Sequence, residues 1–220
     1  MLYSFALESF LENMVPERDA LLKEMEAQAL QETIPIITPA VGNYLAALIQ
    51  TSQARNILEI GTAIGYSTLW LARAIAPGGG RITTIDLNRD RLGRARIYFQ
   101  RAGLAEQITA LPGDARVILP ALESKFDFIF IDAAKGEYLE YLELVYPLLQ
   151  EGGLLVVDNV LFRGWVVPGA VFDLKYNRLV SGIREFLHQL CHNPRLQTSI
   201  LPLGDGLSVS IKLPDRPRGR

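Results

Sequence analysis

The chain has 220 residues, 49% of them hydrophobic, and its formal net charge at pH 7 is −2. This length and apolar content suit one α/β domain with a large core, predicted to span residues 1–220. The small net charge excludes a global basic field for nucleic acid, so any RNA contact would need a local patch. Cys191 is the only cysteine. The sequence therefore excludes an internal disulfide and a cysteine-based zinc cluster.

Two features of the sequence bear on the cellular compartment. No apolar run reaches the length of about 18 residues that a membrane-spanning helix needs. The N-terminus carries Glu8 and Glu12 and lacks the pattern of a signal peptide. We therefore expect no membrane span and a cytoplasmic location.

The first 50 residues are predicted to form a helical cap. Two helices are expected at 3–13 and 17–32, and a third begins at Thr38-Pro39, an N-cap followed by proline. An apolar stripe in residues 7–14 indicates packing in the core or in a homodimer. The connection 34–37 is unusually apolar, and the sequence leaves open whether it covers a ligand or packs against a sheet.

After residue 50, strands and helices alternate, which is typical of a doubly wound, mostly parallel sheet with ligands at the strand C-termini. Strands are expected near 56–60, 81–86, 107–111, 126–131 and 153–158. Helices are expected near 66–76, 89–102, 114–122 and 136–149. A long helix at 173–192 and an antiparallel hairpin of strands 196–202 and 206–213 complete a seven-stranded sheet. The tail 214–220 is predicted to be disordered.

A glycine-rich turn, Gly61 to Gly65, joins the first strand to the following helix. Its glycines let the backbone approach a ligand, and the helix start offers free N–H groups. Asp86 ends the next strand about 20 residues later, where an acid binds ribose hydroxyls in nucleotide-binding βαβ units. Glu59 would repel a pyrophosphate but attract a cationic amino-acid end. We therefore favour S-adenosylmethionine (SAM) over NAD, the alternative being a tight turn without a ligand.

Two predicted strands end in acids that should meet at one edge of the sheet. Asp132 follows one strand, and Asp158 and Asn159 follow another. Nearby like charges disfavour each other, and a divalent cation would remove that penalty. Oxygen ligands favour Mg²⁺, Ca²⁺ or Mn²⁺ over zinc. We predict a hard-cation site here, the alternative being that Asp158 and Asn159 only start a turn.

Other polar residues are candidates for chemical roles. Lys135 lies three residues after Asp132, and beside a metal cation it could act as a base toward a hydroxyl; a solvated lysine is the alternative. Asp114 could cap the next helix or accept from an adenine amino group, and these roles are compatible. His188 and His192 lack a third ligand, so solvated or half-buried side chains explain them better than zinc.

These motifs make the chain resemble the metal-dependent class I O-methyltransferases, the group of catechol and caffeoyl-CoA O-methyltransferases. The resemblance covers residues 35–212 and implies a Rossmann-like methyltransferase fold with SAM and magnesium as cofactors, and a homodimer. It implies SAM contacts at Ile37, Glu59, Gly61, Gly65, Tyr66, Ser67, Asp86, Asp114, Ala115 and Asp132. It also implies that Asp132, Asp158 and Asn159 bind the metal, with Lys135 as the catalytic base beside Asp132.

Within that family, the chain most resembles the bacterial tRNA 5-hydroxyuridine methyltransferases. The similar stretches are 57–67, 158–164, 178–180 and 202–207. Residues 165–176 depart from the pattern and are expected to shape the acceptor pocket. 5-Hydroxyuridine and a catechol both offer two adjacent oxygens to one metal, so the core motifs do not distinguish these acceptors.

Charge is the remaining discriminator between acceptors. A basic cluster follows the predicted metal ligands and could meet RNA phosphates, the alternative being a solvated helix face. Its members are Arg163, Lys175, Arg178 and Arg184. The first hypothesis is methylation of the wobble 5-hydroxyuridine of tRNA, with Lys135, Arg163 and Arg178 contacting the substrate. The second is methylation of catechol-like molecules, and the third is a SAM-binding protein without turnover.

Overall fold

The computed structural model describes residues 5–214 and places seven strands of that range in one sheet. The strands are β1 (Asn56–Ile60), β2 (Arg81–Asp86), β3 (Ile108–Pro112), β4 (Phe126–Ile131), β5 (Leu149–Val157), β6 (Leu196–Leu201) and β7 (Leu207–Lys212). Their order is β3-β2-β1-β4-β5-β7-β6. Strands β1 to β5 run parallel, and β7 is antiparallel to β5 and β6. The predicted doubly wound, mostly parallel sheet with a C-terminal hairpin is confirmed.

Helices cover both faces of the sheet. They are α1 (Phe5–Asn13), α2 (Ala20–Glu32), α3 (Pro39–Ser52), α4 (Tyr66–Ile75), α5 (Arg89–Arg101), α6 (Ala115–Ile118), α7 (Tyr138–Val145) and α8 (Asn177–His192). Alternate residues of each strand enter two separate cores. Phe128 and Phe130 pack with helices α2 to α5, whereas Ile129 and Ile131 pack with α6 to α8. The parallel strands are therefore buried on both faces, and their C-terminal ends meet at one edge.

The predicted caps are confirmed, but several boundaries were wrong. Thr38 caps α3 as predicted, and Asn88 caps α5, both through their side chains. Helix α2 begins at Ala20 rather than at residue 17 because Asp19 caps it. The predicted helix 114–122 stops at Ile118 and continues only as a 3-10 turn.

The predicted starts of two later helices and of one strand were also wrong. The predicted helices 136–149 and 173–192 are preceded by 3-10 turns, so α7 and α8 are shorter than predicted. Strand β5 begins at Leu149 rather than 153 because Leu149 already pairs with Phe126, before an irregularity in the register. Periodicity predicted these elements correctly, and pairing partners set where they begin.

Two predictions fall on residues outside the described range. These are residues 3–4 of the first predicted helix and residues 215–220 of the predicted disordered tail. Across residues 5–214, no helix combines the length and apolar character that crossing a membrane requires.

Candidate active site

The turn between β1 and α4 is shaped by contacts within the protein. Gly61 and Gly65 have φ of +100° and +87°, in the left-handed region that favours glycine. A Cβ on Gly61 would overlap the backbone oxygen of Asp132, and one on Gly65 would meet the Phe99 ring. We expected the glycines to make room for a ligand. The structure shows that they make room for neighbouring parts of the chain, and Gly61 thereby brings the end of β4 against the turn.

Glu59 is fully buried at the end of β1 and accepts hydrogen bonds from three hydroxyl groups. The Ser67 and Thr84 hydroxyls donate at 2.6 Å each, and Thr68 is the third donor. Burial raises the pKa of Glu59 to about 7, although these hydrogen bonds act in the opposite direction. The buried Glu59 therefore fixes the orientation of the Ser67 hydroxyl at the start of α4.

The two acids predicted for the nucleoside part of the cofactor are both held by backbone N–H groups. Asp86 accepts from the N–H groups of Ala63 and Asn88, at 2.7 Å each. Asp114 accepts from the N–H of Arg116 at 2.9 Å, which confirms its predicted cap role at the start of α6. The Arg116 guanidinium also binds both oxygens of Asp114, which lowers the pKa of that carboxyl.

The remaining residues predicted to contact the cofactor are mostly buried. Tyr66 is buried, and its hydroxyl donates to Glu26 of α2 at 2.6 Å, so the tyrosine ties the turn to that helix. Ala115 is buried at the start of α6, beside Asp114. Ile37 is buried in the first core and also lines a cavity, so packing in the core is confirmed for the connection 34–37, and covering a ligand stays a prediction.

The acids at the ends of β4 and β5 lie next to each other, as predicted. The Asp158 N–H donates to the Ile131 carbonyl at 2.9 Å, which joins the two strand ends. Asp158 is 3% exposed, and burial together with the charge of Asp132 raises its pKa to about 8. Burial also raises the pKa of Asp132. Lys135 donates to Asn159 Oδ1 at 2.7 Å, so the structure brings all four predicted residues together.

The chemistry of this group fits a hard cation. Within residues 5–214, no set of three or more His, Cys, Asp or Glu side chains is placed to hold a metal. The predicted set instead has two carboxylates, Asp132 and Asp158, and the amide oxygen of Asn159. The buried Asp158 and the partly buried Asp132 both lie near the ammonium of Lys135, and all the potential metal ligands of the set are oxygens. Such a set suits Mg²⁺, Mn²⁺ or Ca²⁺.

A cavity of about 860 Å³ opens beside Asp158 and Asn159. Its other lining residues come from α1, the start of α3, the loop after β5 and the β6–β7 turn: Ser9, Leu11, Glu12, Ile36, Ile37, Thr38, Ala40, Val41, Arg163, Gly164, Trp165, Pro202, Leu203, Gly204 and Asp205. Much of the wall is apolar, and Trp165 is the one aromatic side chain among the described residues that line it. The cavity therefore joins the end of β5, with Asp158 and Asn159, to an apolar compartment.

Trp165 belongs to an aromatic cluster in the segment that departs from the family pattern. Its ring stacks with Phe172 at 5.6 Å between centroids and contacts Phe162 and Tyr176 at 5.0 and 5.1 Å. The Arg163 guanidinium lies 5.4 Å from the Trp165 ring centroid. Packing on three aromatic neighbours holds the indole at the cavity wall.

The four members of the predicted basic cluster have different environments. Arg163 is the one that lines the cavity. Lys175 pairs with Asp173 at 3.0 Å, and Arg184 donates to three backbone carbonyls of the loop after β5. Arg178 is exposed on α8 and does not line the cavity. The cluster is thus partly neutralised by local contacts. His188 and His192 are exposed, as expected.

Sequence reasoning missed two residues of the site. Asp205, seen only as part of a hairpin turn, lines the cavity and accepts from the Arg163 N–H. Tyr138 donates to the Asp158 carbonyl at 2.7 Å. The signal for Asp205 lies in the register, because Ser208 pairs with Val157 and so places the turn beside Asp158. That pairing is known only once β7 is placed next to β5.

Several known proteins are similar to this chain in sequence and in fold. A family model described as O-methyltransferase matches residues 12–213. A catechol O-methyltransferase of Niastella koreensis is 37% identical, over 89% of this chain and 90% of that protein. A caffeoyl-CoA O-methyltransferase of Eucalyptus gunnii is 33% identical, over 96% of this chain and 87% of that protein. Among solved structures, an O-methyltransferase from Bacillus cereus in complex with S-adenosylhomocysteine (SAH) has a TM-score of 0.83 and 31% identity, covering 94% of this chain and 97% of that one.

The chain therefore belongs to the O-methyltransferase family. It is a SAM-dependent O-methyltransferase, as the sequence predicted. The predicted Rossmann-like methyltransferase fold is likewise confirmed by the match to solved structures.

Proposed function

We propose that this enzyme transfers the methyl group of SAM to a ring hydroxyl that has a second oxygen beside it, on a small catechol-like molecule, with Mg²⁺ or another hard divalent cation. The observation that carries the proposal is the composition of the cavity, where Asp158 and Asn159 share a wall with Trp165 and apolar side chains. The names of the catechol and caffeoyl-CoA relatives support the same acceptor class.

The cofactor would be held by the residues around the glycine turn. Glu59 carries the negative charge that suits the cationic amino group of SAM, and Ser67, oriented by Glu59, would contact the same end. Asp86 accepts two N–H donors, and a carboxylate has about four acceptor sites, so it can still accept from ribose hydroxyls. Asp114 and Ala115 would border the adenine.

Asp132, Asp158 and Asn159 would hold the divalent cation. When bound, a hard cation supplies Lewis acidity toward the acceptor hydroxyl. Asp158 is buried, Asp132 is partly buried, and the ammonium of Lys135 acts on both, so an added positive charge there would relieve the repulsion between the carboxylates. Asn159 would exchange its hydrogen bond from Lys135 for the cation.

The side chains around the acceptor would then carry out the remaining tasks. Lys135 reaches Asn159 Oδ1, and in its neutral amine form it would accept the hydroxyl proton at the same place. Trp165 offers a flat face for the acceptor ring. Ile36 and Ile37 exclude water, which favours a reaction in which an oxyanion and a sulfonium cancel their charges.

The second candidate acceptor is the wobble 5-hydroxyuridine of tRNA, which would become 5-methoxyuridine. It presents the same pair of adjacent oxygens as a catechol. Two exposed arginines favour it: Arg163 at the cavity wall, and Arg178 on the neighbouring helix α8. Either could meet a phosphate at the mouth of the site. We expect the enzyme to act as a homodimer in either case.

One assay compares the two acceptors. The enzyme is incubated with SAM, Mg²⁺ and either a catechol, the matched monophenol that lacks the second oxygen, or undermodified tRNA. We expect methylation of the catechol alone, with loss of activity in a chelator and recovery with Mg²⁺. Methylation of tRNA alone would reverse the choice of acceptor. Equal rates with catechol and monophenol would remove chelation from the mechanism.

Salt dependence provides an independent check. Binding through phosphates weakens steeply with salt, whereas catechol binding should respond little. We expect KM for the accepted catechol to stay nearly constant as the salt concentration rises. A steep increase of KM with salt would favour a polyanionic acceptor.

A further inference from the structure

The segment 159–163 has an unusual backbone. Three of its residues that carry a Cβ have positive φ: Asn159 at +56°, Phe162 at +41° and Arg163 at +58°. Asparagine tolerates this region, but phenylalanine and arginine are strained there. Strain of this kind persists only where the surroundings hold the backbone in place, and it concentrates at functional sites. The segment begins with the proposed metal ligand and ends with the arginine at the cavity wall.

The β6–β7 turn holds this segment from one side. The Val160 and Leu161 N–H groups donate to the carbonyls of Gly206 and Asp205, at 3.0 Å each. The Asp205 carboxylate accepts from the Arg163 N–H. The first two contacts are backbone to backbone and can form with any residue at 205. The third needs the Asp205 side chain, and it acts on one of the two strained residues.

Asp205 also lies within the electrostatic environment of the site. Its carboxylate is partly buried, and the positive charges of Lys135 and Arg163 act on it. It adds negative charge near Asp158. Asp205 therefore acts on the charges of the site in addition to its place in the β6–β7 turn.

We propose that Asp205 is a positioning residue for methyl transfer. By accepting from the Arg163 N–H, it keeps segment 159–163 in the conformation that presents Asn159 and Arg163 to the acceptor cavity. The inference rests on the proposed acceptor site, and it gives Asp205 a role that acts through Asn159 and Arg163 rather than directly on the methyl acceptor.

The test compares Asp205→Ala, which removes the acceptor, with Asp205→Asn, which keeps an acceptor oxygen. Asp173→Ala is the matched control, because Asp173 also accepts from a loop N–H, that of Lys175 at 3.0 Å, but does not line the cavity. Hydrogen–deuterium exchange is measured across residues 159–164, together with SAH affinity and with kcat and KM for the methyl acceptor.

For Asp205→Ala we expect exchange in this segment and the acceptor KM to rise about tenfold, the usual effect of losing a hydrogen bond to a charged group. We expect a smaller change in kcat, unchanged SAH affinity, recovery of most of the KM in Asp205→Asn, and wild-type behaviour in Asp173→Ala. Wild-type exchange or wild-type KM in Asp205→Ala would overturn the inference. So would an equal loss of SAH affinity, which would indicate a general structural role.

The outcomes separate the two proposals. If the wild-type enzyme methylated neither acceptor, the proposed function would fail, but the exchange measurement would still test whether Asp205 holds the segment. If Asp205→Asn matched the alanine variant in KM while its exchange stayed as in wild type, the charge rather than the hydrogen bond would matter. That result would overturn the positioning mechanism.

Discussion

The two halves of the site differ in how far the protein satisfies its own polar groups. At the ends of β1 and β2, Glu59 accepts three hydroxyls and Asp86 accepts two backbone N–H groups. At the ends of β4 and β5, the buried Asp158 lies beside the partly buried Asp132, and the charge of Lys135 acts on both. In the proposed cofactor half, the carboxylates thus have hydrogen-bond partners within the chain. In the proposed acceptor half, Asp132 and Asp158 repel each other, and a bound cation would relieve that repulsion.

The largest effect should come from removing a carboxylate of the acceptor half. We expect Asp158→Ala to lower turnover by about a thousandfold, because a charge that organises the reacting oxygen is lost. SAH affinity should stay unchanged, because the cofactor half has its own partners. Turnover assays and calorimetric titration with SAH measure the two effects separately.

The control for this variant is Asp173→Ala, which removes an exposed carboxylate outside the cavity. It should leave both quantities as in wild type. If Asp158→Ala weakened SAH binding as much as turnover, the two halves would not be independent. If it retained activity in chelator-treated buffer, the proposed cation would have no role.

The same division explains how much the sequence could predict. The cofactor half follows from contiguous signals: an apolar strand, a glycine turn, a helix and an acid at a known spacing. Asp132 and Asp158 could also be paired, because parallel strands present their C-termini at one edge. These predictions need only local patterns and the rule for parallel sheets.

The acceptor half depends on contacts that no local pattern encodes. Asp205 reaches the site only because β7 inserts between β5 and β6. The 159–163 backbone lies in a region of φ that its residue types disfavour, so propensity could not predict it. The basic cluster was predicted from closeness in the sequence, but Lys175 pairs with Asp173, and Arg184 donates to backbone carbonyls. Charge counted along the chain therefore overstated the charge available at the cavity.

The second-largest effect should come from the residue where the two halves touch. Gly61→Ala would drive a Cβ into the Asp132 backbone oxygen at a φ of +100°. We expect the free energy of unfolding to fall by about 3 kcal/mol, from overpacking and backbone strain together. SAH affinity and turnover should both fall, because the strand ends move apart. Urea denaturation measures the free energy of unfolding, calorimetric titration measures SAH affinity, and a turnover assay measures activity.

Gly103→Ala separates strain from overlap. Gly103 also has a positive φ, +69°, but an added Cβ there meets no atom within 4 Å. We expect it to cost about 1 kcal/mol and to leave turnover unchanged. Equal losses for the two variants would mean that strain alone explains Gly61, and that the contact with Asp132 is unimportant.

A smaller effect should come from removing the aromatic side chain at the wall of the acceptor cavity. We expect Trp165→Ala to raise the acceptor KM about tenfold, because stacking contacts contribute about 1 kcal/mol beyond area burial. SAH affinity should not change. Trp165→Phe keeps a ring in place and should recover most of the affinity. A KM that fails to respond to either substitution would place the acceptor elsewhere in the cavity.

The smallest effect concerns the proton on Glu59. Burial raises its pKa to about 7, so below pH 7 the carboxyl is mostly neutral and attracts the cationic amino group of the cofactor less. SAH affinity should therefore rise between pH 6 and 8, by less than about tenfold, the limit that titration of one group sets. The folded state also holds this proton more tightly than the unfolded chain does. The contribution of Glu59 to stability should consequently fall as pH rises from about 4.5 to 7.

Two variants determine which group causes that pH dependence. In Glu59→Gln, SAH affinity should no longer change with pH, and it should stay near the low-pH value of the wild type. In Asp158→Ala the pH dependence should persist, because Asp158, whose pKa is also raised, is not one of the residues around the glycine turn. If Asp158→Ala abolished the dependence and Glu59→Gln kept it, the charge that governs cofactor binding would belong to the acceptor half. The two halves would then share one electrostatic field, in spite of their separate hydrogen-bond networks.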